Sequence, residues 1–349
     1  MKIVAAMSGG VDSSVTAALL QEQGHEVIGV HMKLHDADPD KAGHCCGLDD
    51  ALDARRVADS LDIPFHVMDL RDAFRKAVVD DLTRSYLQGL TPNPCVQCNG
   101  VLKFRVLLQR ALALGADKLA TGHYARIGPG PGLYTAEDAS KDQTYFLFPL
   151  TPHALARSLF PLGGLPKSQV RAHAERLGLV TAAKPESQEI CFVPDGDHAA
   201  FIQRQVPHVD GSGPITDAAG RVLGHHDGYF RFTIGQRRGL GVAVGSPVYV
   251  SHIDPETCTV VVSGGEDLWH TGLVARRWTW FDRPDPDDEV EARIRHQGRR
   301  IPCRVGPGDE TEIAFSVPAW AVAPGQAVVI YRGDRVLGGA WIRRALVAS

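Results

Sequence analysis

The chain has 349 residues, 44% of them hydrophobic, and a formal net charge of −4. That length and composition allow a real core, exclude a chain too short or too polar to fold, and predict two or three domains. The charge excludes a uniformly basic nucleic-acid binder, although residues 271–349 are mildly positive, with 12 Lys/Arg against 10 Asp/Glu.

Lys2 to Met7 reads as a first strand, too short for a signal-peptide core. Ser8 to Ser14 is a loop, and Val15 to Gln23 has helical composition and stops at Gly24. Glu26 to Leu34 is a second strand, Asp50 to Leu61 a helix and Ile63 to Leu70 a third strand. Strands alternating with helices predict a doubly wound parallel sheet covered on both faces. The pattern continues with helices near 72–88, 99–114 and 166–180 and a strand near 118–122. From residue 212 onward Gly, Pro and short β-branched runs dominate. Short strands at 273–281, 289–296, 311–317, 327–332 and 336–344 then predict a small β-barrel or sandwich. The expected domains are 1–200, catalytic; 201–271, a central adaptor; and 272–349, the barrel. No segment approaches the length of a membrane span.

Seven cysteines, at 45, 46, 95, 98, 191, 258 and 303, form an odd set without a secretory signal. That argues against a disulfide framework and for a reducing, cytoplasmic compartment. Cys95 and Cys98 open a helix after Thr91-Pro92-Asn93-Pro94. There the helix dipole is expected to stabilise a thiolate and so make a better nucleophile. Cys191 precedes a Pro-Asp-Gly turn at 194–196 and reads as a loop residue. For any one cysteine, burial as a small hydrophobe is the commoner fate. A zinc site at Cys95/Cys98 lacks a second C-x-x-C.

Ser8-Gly9-Gly10-Val11-Asp12-Ser13-Ser14 lies between the first strand and the first helix. Its glycines admit close backbone approach to an anion, its serines add donors, and the helix N-terminus favours negative charge. At the carboxyl end of a parallel strand, this is where α/β sheets bind ligands. No GxxxxGK[ST] string occurs, which disfavours a Walker-type NTPase.

The string SGGVDSS resembles the PP-loop of the ATP pyrophosphatases, which implies that it holds the pyrophosphate of ATP, with Asp12 helping to hold Mg²⁺. The resemblance also implies that the Met32 backbone reads adenine and that Gly122 packs near the ribose. Together with TPNPCVQCN, ATGHYAR (120–126), KDQTYFL (141–147), SQEICFVPDGD (187–197) and TIGQRRGLG (233–241), in that order, the chain resembles the tRNA 2-thiouridylases of the MnmA family over nearly its whole length. The resemblance implies a PP-loop domain (adenine nucleotide α-hydrolase-like), a small central domain and a C-terminal β-barrel. It implies adenylation of the C2 oxygen of the wobble uridine in tRNAs for lysine, glutamate and glutamine. Cys191 would carry persulfide sulfur received from a cysteine desulfurase or a sulfur relay, and Cys98 would be nucleophile or resolving thiol. His123, Lys141, Asp142, Gln143, Arg295, His296 and Gln326 would contact tRNA, and the enzyme would act as a monomer.

Many relatives carry Asp where this chain has Cys95. Cys95, Cys98 and Cys191 are therefore also a candidate ligand set for three irons of a 4Fe–4S cluster, a second expectation behind persulfide and disulfide chemistry. Two readings from other classes compete: a PP-loop ligase or amidating enzyme acting on a small molecule, and a non-catalytic RNA-binding protein with a relic nucleotide fold. The first leaves Cys98, Cys191 and the barrel arginines without a role. The second predicts decay of the loop, yet Asp12 and its serines are present.

Overall fold

The computed structural model describes residues 1–36, 48–128, 132–185, 190–193 and 196–347. Cys45 and Cys46 lie outside them, as do residues 187–189, 194 and 195 of the 187–197 string. The described chain divides into two compact units. The first contains residues 1–79, 95–196 and 333–336, and the second contains 80–94, 197–332 and 337–349.

In the first unit, β1 (Lys2–Ala6) leads through the glycine loop into α1 (Val11–Glu22), followed by β2 (Glu26–Lys33), α2 (Leu48–Ser60) and β3 (Phe65–Asp69). A helix over 71–87 begins α-helical at Arg71–Phe74, winds as a π-helix over Arg75–Val79 and returns to α-helix over Asp80–Leu87. Another helix, α3, covers 94–113: Pro94–Gln97, a π-wound stretch at Cys98–Leu107, and Leu108–Ala113. Then come β4 (Lys118–Ala120), the hairpin β5 (Ala125–Gly128) and β6 (Gly132–Thr135), a short helix α4 (Pro152–Ala156), β7 (Ser158–Leu159) and α5 (Lys167–Arg176).

The sheet runs β3-β2-β1-β4-β7, with every described pairing parallel. The chain builds outward from β1 to β3 and then places β4 on the other side of β1. The carboxyl ends of β1 and β4 therefore form the topological switch point, where such sheets open a crevice for ligands. β1 is buried on both faces, and Ile3, Ala5, Val15 and Leu20 join Val57 and Val170 in one core. This is the expected doubly wound sheet.

In the second unit, α6 (His198–Gln205) precedes a four-stranded sheet of order β10-β11-β8-β9, from β8 (Gly213–Asp217), β9 (Val222–His226), β10 (Tyr249–Asp254) and β11 (Thr259–Ser263). The last strands are β12 (Trp269–Trp280), β13 (Val290–Arg293), β14 (Ile301–Val305), β15 (Thr311–Trp320), β16 (Ala327–Arg332) and β17 (Arg335–Leu346). They run in the order β12-β15-β14-β13-β16-β17, and β17 pairs back onto β12, so the sheet closes on itself. Leu273, Ala292, Cys303, Ile313, Val328 and Ile342 point into its core. The expected barrel is present. It gains β14, whose alternation is clear: Ile301, Cys303 and Val305 are buried, Pro302 and Arg304 exposed. Among the described residues no helix is long and apolar enough to cross a membrane.

Candidate active site

The loop leaving β1 is fixed by its own side chains. The Ser8 amide donates to Ser13 Oγ at 3.1 Å, and Ser13 Oγ and Ser14 Oγ donate to the Gly10 carbonyl at 3.0 and 2.9 Å. Gly9 adopts φ +81°, and a Cβ there would overlap the backbone of Asp50 in α2. Only glycine serves at that position. Gly10 caps α1 without a side-chain hydrogen bond. The first amides of this 12-residue helix are therefore not taken by a cap and suit an anion.

Asp12 does not project alone. Its carboxylate accepts from Tyr124 Oη at 2.8 Å and from Lys167 Nζ at 2.7 and 2.9 Å. Lys184 reaches the far side of the loop, donating to the Gly9 carbonyl at 3.0 Å, Asp50 Oδ1 at 2.6 Å and Asp53 Oδ2 at 2.8 Å. Burial pulls the Lys184 ammonium down, but the two carboxylates outweigh it and hold its pKa above the ordinary lysine value. Two lysines thus flank a loop suited to phosphate. Sequence reading missed both, because each is more than 150 residues from the loop atom it meets.

Met32 lies near the carboxyl end of β2. The Val30 carbonyl accepts from the Met7 amide at 2.8 Å, on the β1 side of β2. Two residues on, Met32 presents its backbone groups to the same side, beyond Ala6, the last residue of β1 in register. Gly122, just after β4, passes so close to the loop that a Cβ would lie 2.9 Å from the Asp12 carbonyl carbon and the Ser13 amide.

His123 is buried. Lys103 Nζ lies 3.5 Å from its Nε2, and its Nδ1 lies 2.7 Å from Thr121 Oγ1. An ammonium can only donate, so Nε2 accepts and Nδ1–H donates to the threonine. Burial, reinforced by the Lys103 charge, pulls the His123 pKa well below its usual value, so the ring is neutral. Phe104 and Phe160 pack around it.

The three cysteines named from sequence share one neighbourhood with Lys103, close enough for the charge of each to be felt by the others. Cys95 is exposed, and Cys98 and Cys191 are half-buried. The segment of Cys191 is anchored by Phe192, edge-on to Phe74 with ring centroids 5.0 Å apart. The expected dipole-stabilised thiolate is corrected here. Burial pushes the Cys98 thiol up to about 12, against the pull of Lys103 and with a further push from the neighbouring thiols. Cys98 begins the π-wound stretch a full turn inside the helix, so desolvation outweighs the dipole, which acts at the terminus. Desolvation, reinforced by Cys191 and opposed by Lys103, pushes the Cys95 thiol up to about 11. Among the described residues no group of three or more His, Cys, Asp or Glu side chains is arranged to hold a metal ion.

Of the residues in the 141–143 string, Asp142 is buried and accepts from Thr144 Oγ1 at 2.9 Å, while Gln143 Oε1 accepts from the Tyr124 amide at 3.0 Å. Lys141 stays partly exposed. In the second unit, Arg295 is exposed with its guanidinium 6.0 Å from the Trp320 ring, and His296 follows it half-buried. Arg293 and Arg300 lie over Tyr331 at 5.4 and 4.1 Å. Gln326 Nε2 donates to the Thr91 carbonyl at 3.1 Å.

Comparison with known proteins gives three family matches in series: a tRNA methyl transferase HUP domain over residues 1–195, a tRNA methyl transferase PRC-barrel domain over 199–264, and an aminomethyltransferase beta-barrel domain over 270–342. The chain is 50% identical to the tRNA-specific 2-thiouridylase MnmA of Geobacter metallireducens, covering 99% of this chain and 97% of that one. It is 48% identical to the protein of the same name from Geotalea uraniireducens, covering 99% and 96%. A solved 4-thiouridine synthetase–RNA complex with bound ATP aligns over 59% of this chain and 50% of that one, at 17% identity and a TM-score of 0.38, too slight a likeness to argue from.

Proposed function

This chain belongs to the tRNA-specific 2-thiouridylase family MnmA, and from that premise we propose that it uses ATP to replace the C2 oxygen of a tRNA wobble uridine with sulfur. The tRNAs for lysine, glutamate and glutamine are the substrates. The observation that carries the reading is the meeting, within one unit, of an anion-binding loop and a set of thiols.

ATP lies along the switch point, its adenine on the Met32 backbone and its phosphates on the loop amides between Lys167 and Lys184. Mg²⁺ typically takes only one or two carboxylates and completes its shell with phosphate and water. Asp12 fits that demand, and the ion would neutralise phosphate charge. The uridine C2 oxygen attacks the α-phosphate, pyrophosphate leaves, and AMP is joined to the base. Cys191 arrives as a persulfide, loaded by a cysteine desulfurase or a sulfur relay. The Cys98 thiolate attacks Cys191 Sγ, the persulfide S–S bond breaks, and a Cys98–Cys191 disulfide forms with release of hydrosulfide. Hydrosulfide displaces AMP at C2 to leave 2-thiouridine, and an external thiol then reduces the disulfide. Cys95 is dispensable in this scheme.

Residues 272–349 serve as the tRNA-contacting domain, 201–271 as the adaptor and 1–200 as the catalytic domain. Arg295 and its neighbours grip the phosphate backbone, because guanidinium forks suit phosphate. Lys141 supplies the contact from its string, while Asp142 and Gln143 hold that turn in shape. His123 acts near the reacting base by holding Lys103. The test is tRNA thiolation by iron-free protein: full activity supports the thiol scheme, and activity that tracks bound iron replaces it with the cluster.

A further inference from the structure

Lys184 meets the glycine loop from the side of α2. An ammonium has three protons to donate, and protein acceptors take all of them: the Gly9 carbonyl at 3.0 Å, Asp50 Oδ1 at 2.6 Å and Asp53 Oδ2 at 2.8 Å. Asp53 is held from its other oxygen by Arg56 at 3.1 Å, and Asp50 is buried, so the anchor is itself fixed. The bond to Gly9 decides where the loop amides point. A trans peptide sets its carbonyl and its N–H on opposite sides. With the Gly9 carbonyl turned to Lys184, the Gly10 N–H points away from that lysine. In an unbroken helix the Gly9 carbonyl would accept from the Ser13 amide. Here the first such bond runs from the Ser14 amide to the Gly10 carbonyl at 3.2 Å, and that carbonyl also accepts from Ser13 Oγ and Ser14 Oγ. Both glycine carbonyls are thus turned to donors. Among the described residues, none of the amides from Gly9 to Ser13 has an acceptor.

We propose that Lys184 is a positioning residue of the ATP site: it ligates no phosphate itself, and it keeps the Gly9–Gly10 peptide turned so that the loop amides face the pyrophosphate of ATP. The proposal rests on the functional reading for the identity of that anion. A neutral side chain at 184 releases the Gly9 carbonyl. The carbonyl then turns back to the Ser13 amide, closes the helical bond and removes one donor from the anion. The Gly10 N–H swings with it, because the two groups share one peptide plane. Adenine, on the Met32 backbone, is untouched by that change.

The experiment measures ATP and adenosine binding to the full-length chain by calorimetry, without tRNA. Wild type, Lys184→Met and Lys184→Gln are compared, each first checked for a folded circular dichroism spectrum. Two neutral variants keep the comparison intact should one fail to fold. An amide spectrum of each ligand-free protein, isotope-labelled at glycine and serine, follows Gly10 and Ser13. The expected result is ATP binding about tenfold weaker in the neutral variants, with adenosine binding unchanged and the Gly10 and Ser13 resonances displaced. Unchanged ATP binding overturns the proposal. So does equal weakening for ATP and adenosine, which marks a general structural effect. Weaker ATP binding with both resonances unmoved overturns it too, because the lysine would then be a phosphate ligand. A wild type that binds ATP yet leaves tRNA unthiolated contradicts the functional reading and leaves this proposal standing.

Discussion

Asp12 sits between Tyr124 and Lys167, and Lys167 is largely buried. Replacing Asp12 with Ala should abolish ATP-dependent AMP formation on tRNA. It should also cost about 1–3 kcal/mol of stability, because it strands a buried ammonium. AMP release and a denaturant midpoint read the two effects, and parental AMP formation would remove Asp12 from the ATP site. Histidines make a second residue-level prediction. His31 and His123 are both held below the ordinary value, burial being the larger cause in each. Their depressed folded pKa means that the unfolded chain binds the extra protons. Stability is therefore full above about pH 6.5, the unfolded histidine value, and falls as pH drops below it. Denaturant midpoints from pH 8 down to 5 should show this loss, and His123→Gln should make it shallower; an equal slope would contradict the buried neutral ring. The loop residues and Cys98 were legible because each stands in a dense local string. Lys103, Lys167 and Lys184 were not, because a lysine declares its role only through the atom that the fold brings to it.

Gly122 lies at the joint between β4 and the glycine loop. Gly122→Ala must push the Asp12–Ser13 backbone aside, since its Cβ would come to 2.9 Å. The expected outcome is a folded enzyme with a raised KM for ATP, measured by pyrophosphate exchange in the presence of tRNA; an unchanged KM would separate this strand end from the ATP site. The β/α alternation of residues 1–70 was readable because it is local hydrophobic periodicity. β16 was read to its observed limits for the same reason. The hairpin of β5 and β6 was not read. Its strands have four residues each, and β6 pairs with Arg335 and Val336, some 200 residues later. β14 was missed because Arg299 and Arg300, which lead into it, read with Arg293, Arg295 and His296 as a charge cluster, although its buried residues alternate. The π winding of α3 leaves no mark that residue spacing could have revealed.

The whole molecule is acidic, yet its last 79 residues carry a small arginine excess. If the barrel grips phosphate, Arg295→Ala with Arg299→Ala should weaken tRNA binding. It should also flatten the dependence of log K on log salt by about 2, one for each lost contact, with ATP affinity unchanged. An unaltered slope would return these arginines to a merely solvated face. The closed barrel and the parallel sheet were both foreseen as architectures, because strand spacing and strand–helix alternation are properties of the entire pattern rather than of single residues. The central claim, sulfur transfer through Cys191 and Cys98, is tested most directly by mass analysis of tRNA nucleosides after incubation with ATP, Mg²⁺ and a persulfide donor. Wild type should form 2-thiouridine at the wobble position, and Cys191→Ser should form none while still binding tRNA and still making AMP; 2-thiouridine formed by Cys191→Ser at the wild-type rate would contradict it.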